Sequence, residues 1–118
     1  MTASGHNVIP CQWAGNPWDA DVLVLMMNPS LGGDIDAFYS RPGVPELVGT
    51  CARGDWHPEY PNVWLHPTVR AGNNWHSSVV WTRIHSELTK RGVKSEAAWK
   101  RIATRGCVLE LAAWPTPT

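Results

Sequence analysis

At 118 residues the chain has the length of one domain, so two independent domains are not expected. Hydrophobic residues make up 43% and charged ones 17%, with ten basic side chains against ten acidic ones, which is too apolar and too neutral for a disordered chain. No apolar run approaches the roughly 18–20 residues of a membrane span, and Met1–His6 lacks the basic-then-apolar pattern of an export signal, so a soluble, cytoplasmic protein is expected.

In chain order, the first clear element is Val22-Leu23-Val24-Leu25-Met26-Met27, an unbroken apolar run bounded by Asp21 and Asn28-Pro29. Continuous rather than alternating apolarity predicts a strand covered on both faces, as in a parallel sheet. Asn28-Pro29-Ser30-Leu31-Gly32-Gly33-Asp34 then predicts a sharp turn, and Asp34 can cap a short helix reaching Tyr39. The Pro and Gly residues that follow predict mostly loop from Ser40 to Gly72.

From Asn73-Asn74 the pattern becomes helical. Ser77, Val80, Trp81, Ile84 and Leu88 fall on one face of a helix of roughly 16 residues that stops at Arg91-Gly92. A second helix is predicted with Ser95 as cap, Glu96 in its first turn, Ala98, Trp99, Ile102 and Ala103 buried, and its end at Gly106. Cys107-Val108-Leu109-Glu110-Leu111-Ala112-Ala113 predicts a second buried strand.

Strand, helical excursion, strand is the βαβ arrangement, which predicts a parallel pair. The expected class is therefore α/β, a parallel sheet with flanking helices of the three-layer α/β/α type. Two parallel strands are too few to bury both faces of a sheet. The expectation is a single domain over 1–118 that is incomplete at its C-terminal side, or one completed by self-association.

Ligands of open α/β sheets bind outside the carboxyl ends of the strands. Asn28 lies there, and its carboxamide can orient a water and hold a polar ligand edge, or it can simply cap the turn before Pro29. Glu110 is the one charged residue from Cys107 onward. It reads either as a partly buried acid or base that could meet a ligand, or as an exposed edge-strand position. Eight tryptophans suggest a core or cleft with aromatic walls.

Other chemistries are excluded by spacing. His57, His66, His76 and His85 are nine, ten and nine residues apart, which fits no metal-ligand pattern. Cys11, Cys51 and Cys107 are odd in number and widely spaced, which fits reduced thiols rather than a disulfide framework. Ser30, Ser77 and Ser78 lie in no Gly-x-Ser-x-Gly turn, and Gly32-Gly33 is too little for a phosphate loop.

The segment Trp13-Ala14-Gly15-Asn16-Pro17-Trp18-Asp19-Ala20-Asp21, the apolar strand after it and Asn28-Pro29-Ser30 together resemble the first motif region of the uracil-DNA glycosylase superfamily, in an uncharacterised bacterial branch. Tyr60-Pro61, Trp75, the long helix and Glu110 follow in the same order. The resemblance implies a base-excision activity that takes a base out of the DNA stack. It makes Asn28 the catalytic candidate that positions the attacking water, has Pro29 and Ser30 shape the base pocket, and offers Phe38 or Tyr39 to stack on the base. It calls for no metal and no cofactor. Two departures stand out. Met27 replaces a small residue two positions before the Pro, and His66-Pro67-Thr68 echoes a second family motif in the wrong order, so no role passes to it.

Charge is unevenly spread: Met1–Thr82 has three basic and seven acidic residues, whereas Arg83–Arg105 has seven basic and two acidic. Lys90, Arg91, Lys94, Lys100, Arg101 and Arg105 could face DNA phosphates, or form solvated helix faces. No membrane partner is expected. The functional alternatives are a DNA N-glycosylase, a non-catalytic nucleic-acid or small-ligand binding module, and an inactive truncated fragment.

Overall fold

The computed structural model describes residues 2–3, 6–7, 12–26, 35–71 and 81–110. A short antiparallel ladder joins β1 (Thr2–Ala3) to β2 (His6–Asn7). Then come β3 (Trp13–Ala14), β4 (Val22–Met26), α1 (Ile35–Ser40), α2 (Val44–Ala52), a single 3-10 turn (Val63–Leu65) and α3 (Pro67–Arg70). The chain continues through α4 (Trp81–Lys90), α5 (Ser95–Arg105) and β5 (Gly106–Glu110).

The result is a small α/β fold around an open, mixed three-stranded sheet of order β3-β5-β4. The parallel pair expected from the sequence is present, with Val22 opposite Gly106 and Met26 opposite Glu110. β3, unrecognised in the sequence because it is two residues long, runs antiparallel on the other side of β5, with Ala14 opposite Val108.

Ala14, Val108 and Val24 therefore form one row across the sheet. Tyr60, Leu65, Trp81, Trp99, Ile102 and Ala103 cluster with Ala14 and Val108 in the core, and Val24, Met26, Ile84 and Leu88 pack against it. Each large apolar side chain fully buried here contributes about 1.5–3 kcal/mol. The predicted buried face of α5 is thus confirmed in full, and that of α4 from Trp81 onward; Ser77 and Val80 lie outside the described residues.

Three expectations are corrected. β4 is not covered on both faces: Leu23 and Leu25 point away from the core row and are 54% and 62% exposed. Their apolar run reflects one buried face and one open one. Residues 40–72 are not mostly loop. Pro45 sits in the first turn of α2 and Pro67 opens α3, where the fixed φ of proline suits a helix start and its missing N–H costs nothing. Finally, Lys94 rather than Ser95 holds the N-cap position of α5, with no side-chain cap bond. The predicted stop of α4 is present: left-handed Gly92 (φ 92°) donates to Thr89 O at 3.0 Å and Val93 to Leu88 O at 3.1 Å.

α5 passes into β5 with no connecting residue, and the joint is Gly106. A Cβ there would lie 2.7 Å from the Trp81 ring and 3.0 Å from Ile102 O. The Gly15 Cα–Cβ direction is blocked in the same place, 2.7 Å from Gly106 O. Gly106→Ala is expected to lower stability by about 1–3 kcal/mol, the usual cost of overpacking. Urea unfolding followed by tryptophan fluorescence would show this as a lower midpoint with unchanged slope.

Candidate functional site

The carboxyl ends of β4 and β5 meet where Met26 stands opposite Glu110. The Glu110 N–H donates to Gln12 O at 2.6 Å on the other side, so the residue is central rather than at an edge. Its side chain is on the helix-covered face, in the same phase as Gly106 and Val108, and only 3% of the residue is exposed. Among the described residues neither carboxylate oxygen has a hydrogen-bond partner. Burial accordingly pushes its pKa above the ordinary carboxylate value. Of the two sequence readings of Glu110, the buried one holds.

Asn28, Pro29 and Ser30 follow Met26 within four residues but lie outside the described residues. Phe38 and Tyr39 are half-buried on α1, in edge-to-face contact with each other at 5.1 Å. Phe38 also stacks on Trp64 at 5.7 Å, and both residues pack against a second apolar cluster of Val44, Val48, Cys51, Val63 and Val69.

A polar and aromatic cluster that sequence reasoning did not assemble lies between residues 57–70 and the start of α5. Tyr60 Oη donates a hydrogen bond to Glu96 Oε2. Arg70 grips the same carboxylate at 3.0 and 3.4 Å, donates to Leu65 O at 2.9 Å, and lies over Trp99 at 4.8 Å. Arg70 holds the Glu96 carboxyl below its ordinary value, and burial beside that carboxylate raises the Tyr60 phenol. Glu59 and Lys100 form an exposed pair at 2.8 Å alongside. The charges are thus neutralised internally. The arrangement braces the first turn of α5, where a carboxylate is favoured by the helix dipole, against the preceding loop. The legible signal was His66-Pro67, a side-chain cap followed by Pro at the first helical position.

The histidines of this cluster are tied to the backbone. His57 Nδ1 accepts from Glu59 N and Tyr60 N, both at 3.1 Å, and His66 Nδ1 accepts from Thr68 N at 3.1 Å. Each neutral ring therefore carries its proton on Nε2, and a metal there would push that proton onto Nδ1, against the backbone donors. Among the described residues no group of three or more His, Cys, Asp or Glu could hold a metal ion. Burial and the neighbouring His57 lower the His66 pKa.

Ser95 and His85 do not form a nucleophilic pair. His85 Nε2 is 3.1 Å from both Ser95 O and Ser95 Oγ, and the carbonyl can only accept. A proton on Nε2 satisfies that carbonyl, and in that tautomer the ring nitrogen offers the hydroxyl no base. Thiol chemistry is equally suppressed at the described cysteines: Cys51 and Cys107 are buried, and burial with Cys51 nearby pushes the Cys107 thiol up to about 11.

The basic residues expected to face phosphate are exposed on and around α4 and α5. Lys90 pairs with Glu87 at 3.5 Å, Lys100 with Glu59 at 2.8 Å, and Arg105 with Asp21 at 2.8 Å. Arg91, Lys94 and Arg101 have no ion pair among the described residues. No described helix is long and apolar enough to cross a membrane.

Compared with known proteins, the chain matches no family model, no curated protein and no solved structure.

The buried carboxyl gives a pH test. Because the folded-state pKa of Glu110 is raised above 4.5, the native state holds its proton longer than the unfolded state, and this group costs stability as pH rises above that value. Glu110→Gln is expected to raise the urea midpoint at pH 7. The gap from wild type should be small at pH 4.5 and widen upward until the folded-state carboxyl has ionised. A gap independent of pH would contradict the placement.

Proposed function

We propose that this chain is a uracil-DNA glycosylase-like α/β domain whose site lies at the carboxyl edge of β4 and β5, and that it hydrolyses the N-glycosidic bond of a base in DNA, a DNA-repair reaction. The observation that carries the reading is the buried, unpartnered Glu110 carboxyl in register with Met26, two residues before Asn28. Ligand sites of parallel sheets lie at this edge, and buried carboxyls with raised pKa values cluster at such sites.

In this reading Asn28 holds and orients the water that attacks the sugar carbon, while Pro29 and Ser30 shape the pocket around the base. Glu110, protonated, donates a hydrogen bond to a base carbonyl, which offsets the negative charge that develops on the leaving base. Tyr39 or Phe38 stacks on the base. The basic face formed by Lys90, Arg91, Lys94, Lys100, Arg101 and Arg105 holds phosphates. The sugar carbon gains a bond to the water oxygen as its bond to the base nitrogen breaks, and the proton lost by the water ends on the released base. The open face of β4 at Leu23 and Leu25 supports a further layer over the sheet, of the α/β/α kind, supplied by self-association.

A second reading is a binding module without chemistry. The stacking of Phe38 on Trp64 favours it, because a ring already used in packing is less available to a base.

The test is release of free uracil from a single-stranded oligonucleotide. Wild type is expected to release it, and Asn28→Ala to do so at least about 10²-fold more slowly, in the range for a lost general acid, base or oriented hydrogen bond. Glu110→Gln keeps a donor and should lose less than Glu110→Ala. Full release by Asn28→Ala would remove Asn28 from the mechanism. Salt-sensitive binding without any release by wild type would favour the second reading.

A further inference from the structure

Trp18 is 86% exposed, the most exposed large hydrophobic side chain among the described residues. It is not loosely held. Asn16 Oδ1 accepts from Trp18 N at 2.9 Å, Asn16 Nδ2 donates to Asp19 Oδ2 at 3.2 Å, and Asp19 N closes the turn on Asn16 O at 3.2 Å. Pro17 fixes φ at the position of such a turn where proline is favoured. The indole is thus displayed from a preset backbone. Little backbone freedom is left for a ligand to remove.

Three residues further on, Asp21 N donates to Arg105 O at 2.8 Å, and the Asp21 carboxylate meets the Arg105 guanidinium at 2.8 Å. Asp21 lines a depression of about 530 Å³ with Lys100, Arg101, Thr104 and Arg105. Three residues of chain span at most about 11 Å, so the Trp18 backbone lies within that distance of the basic depression. Of its three cations, Lys100 is paired with Glu59 and Arg105 with Asp21, which leaves Arg101 as the cation of the depression with no ion pair among the described residues. The Lys100–Glu59 and Arg105–Asp21 pairs are exposed, and such pairs are weak enough to be exchanged for a phosphate.

An exposed aromatic ring whose backbone lies within about 11 Å of a cationic depression can hold single-stranded nucleic acid, with a base stacked on the ring and the backbone on the cations. We infer that Trp18 and the Lys100–Arg101–Arg105 depression form a single-strand binding surface. A base from a single strand can lie flat on Trp18, whereas the bases of a duplex already stack on one another. The inference deepens the nucleic-acid side of the function proposed above, and it does not depend on base release.

The test is fluorescence anisotropy of a labelled, uracil-free oligothymidine with the whole chain. Wild type is expected to bind the single strand more tightly than a duplex of equal length. Trp18→Ala should weaken single-strand binding by about 5- to 150-fold, the loss of one base–aromatic stack, and Trp18→Phe should keep most of it. Arg101→Ala should lower the dependence of log affinity on log salt by about 0.7, as expected for one phosphate contact. Both positions are exposed, and an unchanged urea midpoint shows that each variant is folded. Equal binding by wild type and Trp18→Ala overturns the inference. So does a Trp18→Ala variant that changes only self-association in sedimentation. Trp18-dependent binding with no uracil release would sink the enzyme reading and leave this one standing.

Discussion

The fold turns on the absence of a side chain at Gly106. Helix α5 ends and strand β5 begins at this residue, which also pairs with Val22 of β4, carries the Trp81 ring on its Cα and directs its carbonyl at Gly15. Gly15, Val22 and Trp81 thus converge within contact distance of this one backbone unit. Only a glycine lets the indole sit that low, and the low indole places α4 close enough for Ile84 and Leu88 to reach the core. Close packing of this kind has little slack, since protein interiors are as dense as organic crystals. The register of β4 on β5 follows from the same joint, and with it the placement of Glu110 beside Met26.

The distribution of charge separates structure from candidate chemistry. Glu96 is held by Arg70 and Tyr60, Glu59 by Lys100, and Asp21 by Arg105, so each of these carboxylates has a partner and each pair fastens two elements. Glu110 is buried in the central strand with neither oxygen bonded among the described residues. A buried polar group left unpaired costs free energy, which makes it a place where a ligand or water has something to gain by binding. The two kinds of site behave oppositely toward protons. Glu96 keeps its charge to lower pH than a free carboxylate, and Glu110 keeps its proton to higher pH. A nucleobase edge, rich in hydrogen-bonding groups and electrically neutral, suits a carboxyl of the second kind.

What could be read from the sequence was what periodicity carries. The buried face of α5 at Ala98, Trp99, Ile102 and Ala103, the stop of α4 at Gly92, and the parallel pairing of β4 with β5 all follow from local pattern. What failed was whatever depends on neighbours. An apolar run looks the same whether one or both faces are covered, so Leu23 and Leu25 were misjudged. Prolines start helices as well as break them, and only the non-helical residue ahead of each helix, left-handed Gly43 before α2 and extended His66 before α3, distinguishes the two roles. The brace around Glu96 joins residues up to 36 apart in sequence, which no spacing rule captures. At the candidate site, Glu110 stood out as a lone charge in an apolar strand. Its central rather than edge position came from β3, a two-residue strand with no pattern of its own.

The proposed role of the buried Glu110 carboxyl at a nucleobase site is open to ¹³C NMR titration of that carboxyl, with and without a uracil-containing single strand. The carboxyl is expected to titrate above the 4.5 of an ordinary Glu in the chain alone, and to change in shift and midpoint when the strand is added. Titration at 4.5 that ignores the strand would contradict it.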